Sequence, residues 1–227
     1  DWLYIPSIMA FNSSAYQQIK SSLPSEVEVV AVSKTKPISD ILEAYGLGIR
    51  DFGENYVQEL MEKQPVLPMD IRWHFIGHLQ SNKVKYIAPY VHLIHGVDKP
   101  SLLDEIQKQA VKNNRKISVL IQLHVAQEET KFGFSAEEAV LFFSSGTKER
   151  YSHIQFNGIM AMASFVDDEQ VLVSEFQLAK KVFDELSAQM GSEWHTLSMG
   201  MSSDWKLAVK EGSTMLRIGS TLFGSRN

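Results

Sequence analysis

Eight short apolar runs, each followed by an amphipathic stretch, in a chain of 227 residues predict an α/β fold, a single-domain (β/α)8 TIM barrel spanning residues 1–227. Three observations carry this. The alternation supplies a crossover after every strand, which a parallel sheet requires. The runs are apolar nearly throughout, as strands covered on both faces are. The length suits one barrel and is enough to bury a full core. An open doubly wound sheet is the competing arrangement, and eight units closing on themselves favour the barrel.

Taken in order, residues 27–33 (VEVVAVS) are the first clear strand, followed by a helix over 38–47 that Pro37 and Ser39 open. Residues 50–52 make a weak second strand, with a helix running through Met61. The third strand is 73–76 with a helical stretch over 81–88, and the fourth is 91–96 with a helix over 102–112. The β-branched run 117–125 is the strongest strand signal, and 136–143 its helix. Residues 153–162 are the sixth strand. A long helix follows over 169–190, with Val173, Phe176, Ala179, Val182, Phe183 and Leu186 at helical spacing. The seventh strand is 194–199, with a short helix around 204–210, and the eighth is 214–218. Little chain remains for a last helix, so the amphipathic segment 8–23 is expected to pack there as an extra N-terminal helix and close the ring.

Composition narrows the function classes. A net charge of −5 without a dominant basic tract argues against nucleic-acid binding, which rests on Lys and Arg neutralising phosphates. The absence of cysteine removes disulfides, thiolate metal sites and cysteine nucleophiles, and agrees with a cytoplasmic location. No apolar run approaches the roughly 20 residues that cross a bilayer. The opening DWLYIP lacks the basic and long apolar regions of a signal peptide.

The chemistry of a barrel sits at the carboxyl ends of its strands, and the unusual residues gather there. The first strand runs into Ser33-Lys34-Thr35-Lys36-Pro37, the second ends in Gly53-Glu54-Asn55, and the third in Gly77-His78. The seventh ends in Ser198-Met199-Gly200-Met201-Ser202-Ser203-Asp204 and the eighth in Arg217-Ile218-Gly219-Ser220. A lysine at a strand end can project into the mouth, where burial and a neighbouring cation disfavour its protonated form. The unprotonated amine is what Schiff-base formation with an aldehyde needs. Spacing does not separate Lys34 from Lys36, and both equally fit solvated loop positions. The loops after strands seven and eight are where barrels often hold phosphate, and their Gly and Ser content suits an anion cradle. Arg217 lies inside strand eight, so it requires a partner, either an interior carboxylate or a ligand.

His74, inside a strand, reads as a core histidine with a satisfied hydrogen bond, and His78 is the better placed for the mouth. His92, His95, His124, His153 and His195 are scattered, with no spacing that suggests a metal site. Met160-Ala161-Met162 reads as barrel lining. Glu54 has no evident carboxylate partner, which leaves a two-carboxylate hydrolase unsupported.

These segments carry a family resemblance. AVSKTKP (31–37), FGENYVQE (52–59), WHFIGHLQSNK (73–83), ETKFG (129–133), GIMAM (158–162), LSMGMSSD (197–204) and GSTMLRIGSTLFG (212–224) span nearly the whole chain. With them the sequence closely resembles the pyridoxal phosphate homeostasis (YggS/PROSC) family, which is alanine-racemase-like. The resemblance implies a barrel like the N-terminal domain of alanine racemase, with pyridoxal 5'-phosphate as cofactor. It implies that Lys34 forms the Schiff base and that Ser198, Met201, Ser202, Gly219 and Ser220 surround the phosphate. It places Arg217 near the pyridine nitrogen and Asn55 and His78 at the cofactor mouth. Two departures are small, Ser203 where Gly or Asp is common and Ser220 where Thr is common, and neither removes a donor.

The same resemblance implies a protein that stores, protects or delivers the cofactor without strong turnover, with apo-enzymes that use it as partners. The expected chain is a cytoplasmic monomer that binds neither nucleic acid nor membrane. The alternative is a racemase-like enzyme. A two-base racemase needs a proton donor on the opposite cofactor face, which alanine racemase takes from a separate domain of its partner subunit, and the sequence shows no such domain. An aldolase with a Schiff-base lysine shares the architecture but leaves the full motif set unexplained.

Overall fold

In the computed structural model, which describes residues 11–126, 132–144 and 146–224, eight parallel strands close into one barrel in sequence order. The strands are β1 Glu28–Val32, β2 Asp51–Glu54, β3 Arg72–Phe75, β4 Leu93–Val97, β5 Ile117–Leu123, β6 Ile154–Ala161, β7 Thr196–Ser198 and β8 Met215–Ile218. The helices are α1 Ser13–Ser22, α2 Ile38–Gly46, α3 Val57–Lys63, α4 Val84–Ile87, α5 Pro100–Lys112, α6 Ala136–Ser144, α7 Thr147–Arg150, α8 Glu169–Met190, α9 Trp205–Lys210 and α10 Ser220–Phe223. Every strand expected from the sequence is present. The weak second one is a full member, paired with β1 through Ala31 and Phe52 and with β3 through Gly53 and His74. Closure comes from β1 and β8, with Val30 opposite Arg217. Such pairing is invisible to local pattern, because a four-residue strand gains its stability from its neighbours.

The helical segment expected after strand three is a 3-10 turn over Ser81–Lys83 that leads into the short α4. The N-terminal helix packs where the barrel needs a last cover. Asn12 caps α1 by accepting from the Ala15 N–H, while its own N–H donates to Leu222 O at 2.7 Å. The Phe11 and Phe223 rings meet edge to face, 5.1 Å between centroids. Ile8 to Ala10 of that segment, the opening DWLYIP, and Glu129 to Lys131 of the ETKFG loop lie outside the described residues.

Two apolar layers hold the fold. Outward-facing strand residues and the helices form the larger core, which includes the fully buried Phe52, Phe75 and Phe176, each contributing about 1.5–3 kcal/mol by burial. A separate inner cluster of Val30, Leu93, Leu120, Met160 and Met215 plugs the barrel. The interior also holds buried polar side chains, His74, His95, Ser198 and Arg217. Among the described residues no helix is long and apolar enough to cross a membrane.

Candidate functional site

A cavity of about 320 Å³ opens at the carboxyl ends of the strands, at the lower end of the size range of small-molecule sites. It gathers residues from both ends of the chain. Lys34 and Lys36 come from the loop after β1, Asn55 from the end of β2, and Met201, Ser202, Arg217, Gly219 and Ser220 from β7, β8 and their loops. Ile76, Met162 and Phe165 supply apolar wall, and Phe165 is 85% exposed at the rim. Met160 and Ala161 are buried barrel lining, whereas Met162 is exposed at the mouth.

Two residues singled out from the sequence stand outside the cavity lining. His78 is exposed and pairs with Asp98, Nδ1 to Oδ2 3.2 Å, with its ring 4.4 Å from that of Phe132. Ser198 is completely buried one layer beneath Arg217, whose Nη1 donates to its hydroxyl at 2.6 Å.

The loop that carries Lys34 is held from below. Thr35 has φ 63°, a left-handed conformation that a β-branched residue avoids. Glu59 Oε1 accepts the Thr35 N–H at 2.6 Å, and Lys63 Nζ donates to Ser33 O at 2.8 Å, so the peptides on both sides of Lys34 are fixed. Lys63 also donates to Glu54 at 2.7 Å and to Glu59 at 2.6 Å. The Ser33 hydroxyl donates to Glu54 Oε1 at 2.6 Å. Burial pushes the Glu54 carboxyl above its usual range, against the opposing pull of Lys63. Its Oε2 is buried with no hydrogen-bond partner among the described residues. Lys36 Nζ donates to Phe223 O at 2.7 Å and anchors the end of α10.

On the opposite wall the loop after β7 turns at Gly200, whose φ of +100° suits glycine. A Cβ there would lie 2.7 Å from that of Ala208. Asp204 accepts the Met201 N–H at 2.6 Å. Ser202 Oγ accepts from the Gly219 and Thr221 N–H groups at 3.3 and 3.4 Å, joining the two loops that the sequence marked as an anion cradle. Arg217 donates from Nη1 to Ser198 O at 2.9 Å and from Nη2 to Ala161 O at 3.0 Å, so among the described residues two backbone carbonyls and the Ser198 hydroxyl hold it. Burial lowers its pKa to about 10, partly offset by the charge of Asp204, which leaves it a cation at neutral pH. Behind the cavity wall, Ser164 donates through N–H and hydroxyl to the buried Glu175 at 2.7 and 2.6 Å, tying the Phe165 loop to α8.

The Glu54–Lys63–Glu59 cluster was missed by sequence reading, although Glu59 and Lys63 carry the i,i+4 spacing of a helical ion pair. Also missed was the contact of His74 Nδ1 with His95 Nε2 at 2.9 Å. Its only signal is that both residues point inward from neighbouring strands, which the register shows with His74 opposite Leu93.

Comparison with known proteins agrees with this geometry. The model of the family described as "Alanine racemase, N-terminal domain" matches residues 13–227. A pyridoxal phosphate homeostasis protein of Aquifex aeolicus (strain VF5) is 40% identical over 200 residues, covering 88% of this chain and 87% of that protein. The structure of PipY of Synechococcus elongatus PCC7942 with PLP bound superposes with TM-score 0.83 at 34% identity, covering 93% of this chain and 99% of that one. Alanine racemase of Clostridium difficile 630 shares the fold, with TM-score 0.78 at 13% identity. The match covers 94% of this chain and 56% of the racemase.

Proposed function

This chain belongs to the pyridoxal phosphate homeostasis proteins, which are built on the alanine racemase N-terminal domain, and on that premise we propose that it holds pyridoxal 5'-phosphate on Lys34. The holding serves storage, protection or delivery to apo-enzymes that use the cofactor. The whole of 1–227 works in this reading as one cofactor-binding domain acting in the cytoplasm.

The observation that carries the reading is the meeting of Lys34 with Ser202, Arg217, Gly219 and Ser220 in one cavity. The donor set fits the cofactor chemically. Hydroxyls and loop N–H groups suit a phosphate, a strand-end amine suits an aldehyde, and the apolar Ile76 and Met162 suit a ring. When bound, the cofactor supplies an aldehyde for reversible covalent capture and a phosphate for anchoring. Lys34 is the capturing amine, presented by the Lys63 and Glu59 contacts on either side of it. Lys36 is engaged by the Phe223 carbonyl and serves α10. Ser202, Gly219 and Ser220 bind the phosphate, while Asn55 and Met201 line the ring's surroundings. Ser198 acts through Arg217 rather than by touching the cofactor. His78 guards the outer mouth.

Arg217 speaks against transaminase-type turnover. A guanidinium at the pyridine nitrogen keeps that nitrogen unprotonated and weakens the ring as an electron sink, where transaminase-type chemistry uses a carboxylate. The test is borohydride reduction of the cofactor-loaded protein followed by peptide mapping. A stable adduct on Lys34 is expected, and an adduct on Lys36, or none, would overturn the assignment. Delivery to an apo-enzyme should outlast a scavenger that removes free cofactor. Robust racemisation of amino acids by the same preparation would overturn the holding role.

A further inference from the structure

Beneath Arg217 a row of buried polar side chains crosses the barrel. The Ser198 hydroxyl lies 3.0 Å from His95 Nδ1, His95 Nε2 lies 2.9 Å from His74 Nδ1, and His74 Nε2 lies 3.0 Å from Asp51 Oδ1. Asp51 starts β2 near the opposite, amino-terminal end of the barrel, where Arg72 grips both its oxygens. Four strands, β2, β3, β4 and β7, thus contribute one link each between the cavity wall and the far end.

The two ends determine the whole row. Arg217 can only donate. Asp51 can only accept when ionised, and although burial opposes ionisation, hydrogen bonds from His74 and Arg72 hold its carboxyl well below the usual range. His74 must therefore carry its proton on Nε2. Burial, with the nearby charge of Arg217, keeps His95 neutral. The Ser198 hydroxyl accepts from Arg217 and has His95 Nδ1 as its side-chain acceptor among the described residues, so His95 carries its proton on Nε2 and donates it to His74 Nδ1. His95 Nδ1 is then bare and accepts the Ser198 hydroxyl proton, leaving the Ser198 lone pairs for Arg217 Nη1. Run in reverse, the row would make His74 a buried cation. It would also strip the Ser198 proton of an acceptor, because among the described residues that hydroxyl's side-chain partners are Arg217 and His95.

The same geometry argues against a metal. Ligand atoms of Asp51, His74 and His92 lie within 4.8 Å of one another, but Arg72 already neutralises Asp51, and the protonated Nε2 of His74 is the atom a metal would need.

We propose that Asp51, His74 and His95 are positioning residues of the cofactor cavity. They fix one direction of hydrogen bonding from the amino end of the barrel, so that Ser198 always presents an acceptor to Arg217 and the guanidinium is held in a single plane at the cavity wall. The chain's direction stands on the contacts and on a neutral His95 in its buried site, whereas its consequence for the cofactor rests on the function proposed above.

Nitrogen-resolved NMR of the imidazole rings, on the full chain without added cofactor, tests the direction. Both His74 and His95 are expected as neutral rings protonated at Nε2. A proton on Nδ1 of either, or an imidazolium at His74, would overturn the proposal. The second test loads Asp51→Asn with pyridoxal 5'-phosphate. The single His95 tautomer is expected to become a mixture, the visible cofactor band to shift, and release to a scavenger to quicken severalfold. Asp51→Glu should restore all three. An altered His95 with an unmoved band and release rate would overturn the reach to the cavity. A wild-type protein that takes no cofactor but shows both expected tautomers would defeat the function proposed above and uphold the chain's direction.

Discussion

Replacing Lys63 with Met removes one ammonium and leaves a chain of similar length in place. Lys63 is 5% exposed and makes three contacts, to Ser33 O, Glu54 and Glu59. Without it Glu54, which is 0% exposed, keeps only the Ser33 side of its environment, and its Oε2 already lacks a hydrogen-bond partner among the described residues. Breaking a buried pair from one side costs about 3–5 kcal/mol, because the other charge stays buried and uncompensated. At about 2–4 °C per kcal/mol for a chain of this size, the melting temperature at pH 7 should fall by about 6–20 °C.

The sign with pH follows from Glu54. Burial raises its folded pKa and the loss of Lys63 removes the opposing pull, so the folded variant binds a proton more readily than the unfolded chain does. Its stability therefore falls as pH rises from the ordinary carboxylate range through the raised pKa, and the deficit shrinks on acidification. Adding Glu54→Gln removes the stranded charge and should recover most of the loss. Thermal melts by circular dichroism of wild type, both single variants and the double, at neutral and mildly acid pH, measure this. A Lys63→Met penalty under about 1 kcal/mol, or a double variant whose loss equals the sum of the singles, would refute the reasoning, since coupled neighbours should be strongly non-additive.

Two further outcomes are expected. Asp51 has a folded pKa below its unfolded value, so its stabilisation is fully present above the ordinary carboxylate range and is lost as pH falls below it. Asp51→Asn should therefore lower stability at pH 7 and flatten the acid limb of a Tm-against-pH curve, and an unchanged limb would contradict it. Glu175→Ala removes two short hydrogen bonds to Ser164, each of about 1.5–3 kcal/mol because the acceptor is charged. Amide exchange across 163–167 should speed up while that of α5 stays as it was, and uniform exchange across both would count against a local anchor.

Much of the fold was legible because it rests on short-range pattern. The run 117–123 is apolar at five of its seven positions and emerges as β5, and 169–190 shows helical spacing along its length and emerges as α8. Residues 50–52 showed little, since β2 is stabilised by β1 and β3 on its flanks. The candidate cavity lining was legible as strand ends, while the choice of Lys34 over Lys36 came from the family motifs. Barrel geometry puts strand ends at one mouth, so Lys34, Asn55, Met201, Ser202, Arg217, Gly219 and Ser220 could be gathered in advance. The same logic did not show that His78 pairs with Asp98 outside the cavity lining, nor the depth of Ser198.

By itself the sequence determined the eight-unit barrel, the ends of the chain that would meet, and the family to which the motifs belong. Only the tertiary structure decided that Lys36 reaches the Phe223 carbonyl, what presses on the peptides around Lys34, and how His74 and His95 join Arg217 to Asp51. The division has a physical cause. Strand and helix periodicity is a property of neighbouring residues, but hydrogen bonds between inward-facing side chains of different strands depend on barrel register and closure. A carboxylate at 51 and a guanidinium at 217 can set each other's partners only once the sheet has closed around them.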